Sequence, residues 1–214
     1  MATSNSKTNL ATVFNGNHHL CAFFHSEEEK LRELVPFMVE GLAAGEKVVY
    51  LVNVNDIDEH RDRLRDGDVD VEEVERSGQL EVIGWPPSAR KRGAFGDQAP
   101  GMIDHLLSAA RNQGYRWTRL VDDMDWASEN QIRDTDLIAL EARLELVYSR
   151  HNAWVICAYD LSRFSGVAVL DVMRTHPAAL IGGVLQHNPF YIPPEQMLEE
   201  LRARGETVRD ERQR

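Results

Sequence analysis

Hydrophobic residues along the chain follow two alternating patterns, one typical of buried strands and the other of amphipathic helices. The apolar runs HLCAFF at 19–24 and KVVYLVNV at 47–54 predict strands that are buried on both faces. Between them, residues 27–44 repeat apolar positions at the spacing of a helix. The alternation continues, with further strands predicted at 79–85, 115–122, 153–159 and 180–185, and further helices at 56–65, 71–76, 101–112, 135–150, 167–175 and 193–204.

Strands that alternate with helices predict an α/β fold. We expect one mainly parallel sheet with helices on both faces, in a single domain. The domain is predicted at 18–204, between a flexible N-terminal leader at 1–17 and a polar C-terminal tail at 205–214. The segment Pro86–Pro100 is rich in Pro, Gly and basic residues, and we predict a loop that covers a ligand.

Composition and charge exclude several classes of function. A formal charge of −11 over 214 residues repels phosphate backbones, so we expect no direct contact with nucleic acid. The sequence lacks an apolar run of about 20 residues, so no membrane span is predicted. Its polar beginning does not match a signal peptide, and the expected location is the cytoplasm. Two cysteines, Cys21 and Cys157, are predicted to be buried free thiols.

The turn after the first predicted strand argues against nucleotide binding. A phosphate-binding loop needs glycines there, followed by Lys and Ser or Thr. The chain instead has Ser26 followed by Glu27–Glu29, with Lys30 behind the three carboxylates. We interpret these glutamates as helix-start residues that complement the helix dipole, with Ser26 as the cap. The sequence therefore predicts neither an NTPase nor another enzyme, and no cofactor.

A second group of acidic residues follows the predicted strand at 115–122. Asp122, Asp123 and Asp125 stand where an ATPase would hold magnesium, but the opposing phosphate loop is missing. We expect these aspartates to be solvated and predict no metal there. Trp126 follows the end of this strand. Its position is equally compatible with lining a ligand pocket and with packing in the core.

Histidines and cysteines on two predicted strands could meet. His19 and Cys21 share one face of the first strand, and Cys157 and Tyr159 share one face of a later strand. If those strands are neighbours, His19, Cys21 and Cys157 converge with His176. Such a set suits zinc, but no CxxC or HExxH spacing supports it, so we favour buried thiols and a hydrogen-bonded histidine.

Glu141 lies on the apolar side of the predicted helix at 135–150, so it needs a partner or a polar cavity. Arg143, Arg163 and Arg174 are the candidate partners. A structural ion pair and a ligand contact stay equally open. His176 at a helix C-terminus is expected to be a cationic cap, because the helix dipole favours positive charge there.

The ordered motifs resemble one known family. They include Gly45–Val52 (GEKVVYLV), Gly78-Gln79-Leu80, Met124 with Trp126-Ala127, Glu141–Leu144 (EARL), Cys157–Asp160 (CAYD), Phe164–Gly166 (FSG), Thr175-His176-Pro177 and Asn188–Tyr191 (NPFY). The set, which covers about residues 18–200, resembles the MEDS domain, the sensory domain of methanogens, methylotrophs and the dichloromethane repressor. The resemblance implies a RecA-like fold without a working phosphate loop, and a sensor of small, often hydrocarbon-derived ligands.

The expected function is therefore a non-catalytic sensor of a small molecule, and the resemblance implies a hydrocarbon-derived or one-carbon ligand. Its output would pass to a regulatory partner protein such as a kinase, an anti-sigma factor or a transcription factor, and it could form homo-oligomers. The alternatives are an interaction scaffold in anti-sigma or kinase regulation without a ligand, and a degenerate nucleotide- or metal-dependent hydrolase. The predicted ligand-binding residues are His19, Cys21, Phe24, Asp122, Trp126, Glu141, Tyr159 and His176. Phe24, Trp126 and Tyr159 are expected to line an apolar pocket, in which His19, Glu141 and His176 supply polar contacts.

Overall fold

The computed structural model describes residues 19–85 and 95–205. Its strands are β1 (His19–Phe24), β2 (Lys47–Val52), β3 (Leu80–Gly84), β4 (Thr118–Asp123), β5 (Ala153–Asp160), β6 (Ala178–Ile181) and β7 (Val184–His187). Its helices are α1 (Glu27–Ala43), α2 (Ile57–Asp66), α3 (Val71–Arg76), α4 (Phe95–Asn112), α5 (Asp125–Glu129), α6 (Asp134–Tyr148), α7 (Gly166–Thr175) and α8 (Pro194–Ala203). The predicted leader, most of the predicted ligand-covering loop and nearly all of the predicted tail lie outside the described residues.

The strands form one sheet in the order β3-β2-β4-β5-β1-β6-β7. Neighbouring strands are parallel except β6 and β7, which are antiparallel. The predicted α/β fold with a mainly parallel sheet is therefore confirmed. β1 and β5 are direct neighbours, and their register places Cys21 opposite Cys157.

Helices cover both faces of the sheet because successive strand residues point to opposite sides. Cys21 and Phe23 belong to the core under α4, α6, α7 and α8, which we call the α6 face. Leu20, Ala22 and Phe24 belong to the core under α1, α2 and α3, which we call the α1 face. Among the described helices, none is long and apolar enough to cross a membrane.

The start of α1 is built by local hydrogen bonds that the sequence predicts. The Ser26 side chain accepts a hydrogen bond from the Glu29 backbone N–H at 3.2 Å, and the Glu29 carboxylate accepts one from the His25 N–H at 2.8 Å. These contacts satisfy amide groups that a helix start otherwise leaves open. They also fix Lys30 one turn into the helix, close to the carboxyl ends of the strands.

Helix α4 differs from the prediction. It begins at Phe95 rather than at Gly101, so the last part of the predicted loop at 86–100 is helical, with Pro100 inside the helix. A proline removes one helical hydrogen bond. We interpret the extra turn as stabilised by burial, since Ala99 packs with Ile103 and Leu107 in the core of the α6 face.

The single late strand predicted at 180–185 is two strands. β6 and β7 form a hairpin whose turn consists of Gly182 and Gly183, with φ angles of +57° and +74°. A two-residue hairpin turn with positive φ at both positions favours glycine, because side chains with a Cβ rarely adopt that conformation.

Candidate functional site

A cleft lies at the carboxyl ends of the parallel strands, which is the edge where such sheets are expected to bind ligands. Its volume is about 290 Å³. We call it the strand-end cleft, and it is lined by Glu27, Lys30, Asn53, Asp56, Glu59, His60, Arg63, Asp123, Asp125, Trp126, Glu129, Asp160 and Arg163. Carboxylates outnumber the lysine and arginines in this lining. The cleft is therefore polar and acidic, whereas the sequence predicted an apolar pocket.

Lys30 forms ion pairs with three carboxylates that line the strand-end cleft. Its ammonium lies 2.7 Å from Glu27, 2.6 Å from Asp123 and 3.0 Å from Asp125, and its side chain is 2% exposed. Burial alone would lower the pKa of Lys30, but the charges of Asp123 and Asp125 outweigh it and the net shift is upward. Lys30 therefore stays charged, and its ammonium occupies the position among these carboxylates that a metal cation could take.

A second set of ion pairs closes the far side of the cleft. The Arg163 guanidinium lies 2.7 Å from Glu129, 3.6 Å from Asp125 and 3.6 Å from Asp160. The side-chain amide of Asn53 donates a hydrogen bond to Glu129. This set ties the ends of β2 and β5 to α5, so the shape of the cleft depends on charges from several elements.

Two residues that line the cleft carry polar groups without a strong partner in the described structure. Asp56 forms no ion pair with a lysine or arginine in the described part of the chain, and burial raises its pKa, with Glu129 adding to the shift. His60 is 6% exposed, and its Nδ1 has no hydrogen-bond partner among the described residues. Burial lowers the pKa of His60, so its imidazole is neutral. A hydrogen-bonding ligand could satisfy both groups.

The expectation that Asp122, Asp123 and Asp125 are solvated is wrong. They are 0%, 4% and 8% exposed. Asp123 and Asp125 are buried because Lys30 supplies the opposite charge, and α5 begins directly after the end of β4. Nothing in the local sequence shows that a lysine nearly a hundred positions away points at these carboxylates.

Asp122 has a different environment on the α6 face. Its Oδ1 accepts a hydrogen bond from Trp85 Nε1 at 2.8 Å, and its Oδ2 has no partner in the described structure. Burial raises the pKa of Asp122 well above its ordinary value. Trp85 also packs against Trp126, with ring centroids 5.0 Å apart. Trp126 is a core residue and also lines the strand-end cleft, and its contact with a ligand stays a prediction.

The structure does not bring Phe24 together with the other predicted aromatic residues. Phe24 is buried on the α1 face, while Trp126 and Tyr159 are buried on the α6 face. The sheet lies between them, so the three rings do not line one pocket. Phe23 is the residue that packs against Tyr159, with ring centroids 5.7 Å apart. The prediction failed because it followed strand position and ignored the alternation of side chains.

A second polar site lies under the α6 face, away from the carboxyl edge of the sheet. Four side chains bring ligand-type atoms within 4.8 Å of one another, and all four are buried. They come from the start of β1, the middle of α6, the middle of β5 and the residue that follows α7. We call this set the buried cluster, and its members are His19, Glu141, Cys157 and His176.

Cys21 lies beside the buried cluster without joining it. Its strand register places it opposite Cys157, but its thiol donates to the Ala178 carbonyl at 3.7 Å. Both thiols are free and buried, as the sequence predicts. Tyr159 contacts the cluster from the other side, since its hydroxyl donates a hydrogen bond to Glu141 Oε1.

The hydrogen bonds of the two histidines define their tautomers. His19 Nδ1 lies 2.7 Å from Glu145 Oε2, and His176 Nδ1 lies 2.8 Å from the Val172 carbonyl oxygen. Both partners accept hydrogen bonds, so each Nδ1 carries the proton and donates. Each Nε2 therefore presents a lone pair to the centre of the cluster.

Burial controls the charges within the buried cluster. It lowers the pKa of His19 to about 3 and that of His176 well below its ordinary value, so both imidazoles are neutral. Burial also raises the pKa of Glu141 to about 7, although hydrogen bonds from Tyr159 and Cys157 oppose the shift. The pKa of the Cys157 thiol is raised as well. The cluster thus contains no permanent positive charge.

Two predictions about this region are wrong. Glu141 contacts His19, His176, Cys157 and Tyr159. Two of its three predicted arginine partners lie elsewhere: Arg163 pairs at the strand-end cleft, and Arg174 pairs with Glu200 at 2.6 Å. His176 is not a cationic cap, because it is fully buried and desolvation outweighs the helix dipole. In both cases the local sequence suggests a charged group at the surface, but the side chain points into the core.

Sequence reasoning also missed residues that shape these sites. Glu145 follows Glu141 by one helical turn, and that spacing was a usable sign that both face β1. Asp56 follows the end of β2, so the strand-end rule could have included it. His60 lies in a strongly charged helix, where no local pattern marks it as buried.

Comparisons with known proteins identify the fold and the family. The chain is 26% identical over 174 residues to the transcriptional repressor DcmR of Methylorubrum extorquens, covering 80% of this chain and 63% of the repressor. It thus spans less than two thirds of that relative's length. The flagellar accessory protein FlaH of Methanocaldococcus jannaschii has a similar structure, with a TM-score of 0.50, 12% identity, and coverage of 84% of this chain and 81% of FlaH.

The fold is accordingly RecA-like, as the resemblance implied. The family model named MEthanogen/methylotroph, DcmR Sensory domain matches residues 18–177, which is most of the chain. That range includes β1 to β5, the strand-end cleft and all four members of the buried cluster. The chain therefore belongs to the MEDS family of sensory domains.

Proposed function

We propose that this chain is a non-catalytic sensor that binds a small molecule in the strand-end cleft and signals through a regulatory partner protein. The observation that carries the proposal is the pairing of the Lys30 ammonium with three carboxylates. This pairing lies in a cleft at the edge of a RecA-like sheet where such sheets bind ligands. The site has the position of a ligand pocket but the wrong charges for a nucleotide.

The charges of the cleft argue against phosphate. A nucleotide would need a lysine free to contact its phosphates and a turn of open backbone amides. Here Lys30 is saturated by carboxylates, and Ser26 and Glu29 occupy amides at the start of α1. Among the described residues, a triphosphate at this end of α1 would therefore meet negative side chains and a lysine that is already paired, which disfavours turnover of a nucleotide.

The same charges favour a small cationic ligand. Asp56 lacks a lysine or arginine partner in the described chain, and His60 offers an unpaired nitrogen nearby in the lining. A primary ammonium ion with a short alkyl group can donate to both, while its alkyl part contacts Trp126. The volume of about 290 Å³ is at the small end of ligand pockets, so the cleft has room for a small organic cation.

Signal output is proposed to pass through a protein. Several large apolar side chains are exposed on α7 and at the β6–β7 hairpin, among them Val167 at 69%, Leu170 at 64% and Val184 at 60%. Exposed apolar side chains of this size are typical of contact surfaces when they lie together. The family membership and the similarity to a transcriptional repressor support a regulatory partner, and we place the domain in the cytoplasm.

Thermal unfolding with a panel of probes tests the proposal. Methylammonium and ethylammonium at millimolar concentration are expected to raise the midpoint temperature by mass action, whereas formate and Mg-ATP are not. Asp56→Asn should abolish the response to methylammonium. Asp58→Asn is the matched control, because Asp58 lies on the same helix start with a 95% exposed side chain outside the cleft.

The outcomes separate the rival functions. A midpoint raised by Mg-ATP, or release of phosphate from it, would favour the nucleotide-dependent hydrolase. No response to any probe, including dichloromethane and methanol, would favour an interaction scaffold without a ligand. Equal responses in the Asp56 and Asp58 variants would place the ligand outside the strand-end cleft.

A further inference from the structure

We propose that the buried cluster binds a divalent transition metal ion, zinc in the first place, through His19 Nε2, His176 Nε2, Cys157 Sγ and Glu141 Oε2. The site is separate from the strand-end cleft, and its existence does not depend on the proposed sensing function. Nothing about the chain's local motifs indicates it, because the four ligands come from four different elements.

The distances between the ligand atoms match a tetrahedral site. Zinc bonds of about 2.0–2.3 Å at tetrahedral angles place neighbouring ligand atoms roughly 3.3–3.7 Å apart. His19 Nε2 lies 3.3 Å from Cys157 Sγ and 3.7 Å from Glu141 Oε2. Glu141 Oε2 lies 3.6 Å from His176 Nε2 and 3.7 Å from Cys157 Sγ. One ion can therefore contact all four atoms with little rearrangement.

The surrounding hydrogen bonds orient the ligands as metal sites require. Metal-bound histidines usually donate their other ring N–H to a carboxylate or a backbone carbonyl. His19 donates to Glu145 and His176 donates to the Val172 carbonyl, so both Nε2 lone pairs point inward. Tyr159 donates to the outer oxygen of Glu141, which leaves the inner oxygen for the ion.

An orphaned atom points to a missing ligand. His176 Nε2 is completely buried and has no hydrogen-bond partner among the described residues. A buried polar atom without a partner keeps its full desolvation cost, so native structures rarely retain one. The competing explanation is a protonated Glu141 that donates to this nitrogen, but their separation of 3.6 Å exceeds a normal hydrogen bond. A metal ion satisfies the nitrogen directly.

The chemistry of the donors selects the class of ion. Two imidazoles and a thiolate favour zinc and similar metals over magnesium or calcium, which prefer oxygen ligands. The thiolate and the carboxylate together balance the charge of a divalent ion, so the buried assembly is neutral. Binding forms the metal–sulfur and metal–carboxylate bonds and releases to solvent the thiol proton of Cys157, together with the proton of Glu141 in molecules that carry one.

Metal content and a cobalt spectrum test the site in the full chain. Protein purified without chelators is expected to contain one equivalent of zinc. After chelation and refolding with Co²⁺, it should show the visible bands of tetrahedral cobalt and a thiolate-to-cobalt charge-transfer band. Cys157→Ser should lose the charge-transfer band. Cys21→Ser is the matched control. Cys21 is as buried as Cys157 and lies opposite it on the neighbouring strand, but its thiol donates to the Ala178 carbonyl, outside the cluster.

Folding defects are distinguished by a second variant and by circular dichroism. His176→Gln removes one ligand without touching either thiol, and it should lower zinc affinity at least tenfold while the thiolate band persists under excess cobalt. The proposal is overturned if folded protein refolded with zinc retains none. It is equally overturned if the spectra of the Cys157 and Cys21 variants are the same.

Discussion

The strand-end cleft and the buried cluster both collect carboxylates and histidine, but they neutralise negative charge in different ways. The cleft carries its own cation: Lys30 lies within 3.0 Å of Glu27, Asp123 and Asp125. In the buried cluster, the partners of Glu141 are neutral histidines, a thiol and a hydroxyl. The first site is complete as folded, and the second is balanced by a bound proton or by an ion from solution.

The difference shows that burial alone does not decide the charge of an acid. Asp122 and Asp123 are adjacent on β4 and both are buried, yet they point to opposite faces of the sheet. Asp123 meets an ammonium, while Asp122 meets an indole N–H. Burial raises the pKa of both acids, but the charge of Lys30 opposes the shift at Asp123, whereas only indole hydrogen bonds oppose it at Asp122.

The largest expected effect comes from removing the built-in cation. Lys30→Met should lower the free energy of unfolding by about 3–5 kcal/mol, because it leaves buried carboxylates without a partner. Urea denaturation at neutral pH measures the change. Arg32→Met is the control on the same helix, since the Arg32 side chain is 63% exposed, and it should cost less than about 1 kcal/mol. Equal effects would mean that Lys30 contributes no more than a surface charge.

A smaller effect separates the two neighbouring aspartates. Asp123→Asn should destabilise the protein by about 2 kcal/mol or more, because it breaks a buried ion pair. Asp122→Asn should cost less than about 1.5 kcal/mol, because the amide resembles the protonated carboxyl that it replaces. The comparison is made by urea denaturation at pH 7, and a larger loss for Asp122→Asn would contradict it.

The pH dependence of stability tests whether folding raises the pKa of Asp122. The pKa of Asp122 is raised in the folded state above its ordinary value of 3.8. The native state therefore binds more protons than the unfolded state above that pH, and its stability decreases as pH rises through the folded pKa. Relative to Asp122→Asn, the wild-type chain should lose stability from pH 4 upward. A constant difference would show that Asp122 is ionised in the fold.

The smallest effect is expected at a half-buried ion-pair group near the surface, Glu200. Hydrogen bonds from Arg174 and Arg204 lower the pKa of Glu200 to about 2 from an ordinary 4.5. The stabilisation that ionised Glu200 gives the folded state is complete above pH 4.5 and is lost as pH falls toward 2. Glu200→Gln should cost less than about 1 kcal/mol at pH 7, with the difference from wild type shrinking below pH 4.5 in urea titrations. A difference that grows in acid would refute the assignment.

The backbone of the molecule was largely predictable, and the charges within it were not. Apolar runs identify β1 and β2, and Ser26 with Glu29 identifies the start of α1, because these signals are local. The possible meeting of His19, Cys157 and His176 also followed from strand periodicity, given that β1 and β5 are neighbours.

Three kinds of information were missing from the local pattern. The pairing of Lys30 with Asp123 joins residues that are 93 positions apart. The partners of Glu141 depend on how α6 is rotated about its axis over the sheet. The spacing of apolar residues defines that rotation only coarsely. The start of α4 at Phe95 depends on burial that outweighs Pro100. In each case tertiary packing overrode a valid local preference.

The position of Lys30 also has a mechanical consequence. Its side chain connects the first turn of α1 to the far end of β4 and the start of α5, so one ammonium group links these three segments. A guest cation that competes for Asp123 would uncouple them. A molecule too small to push on any surface could then loosen an entire helix by substituting for one ammonium group.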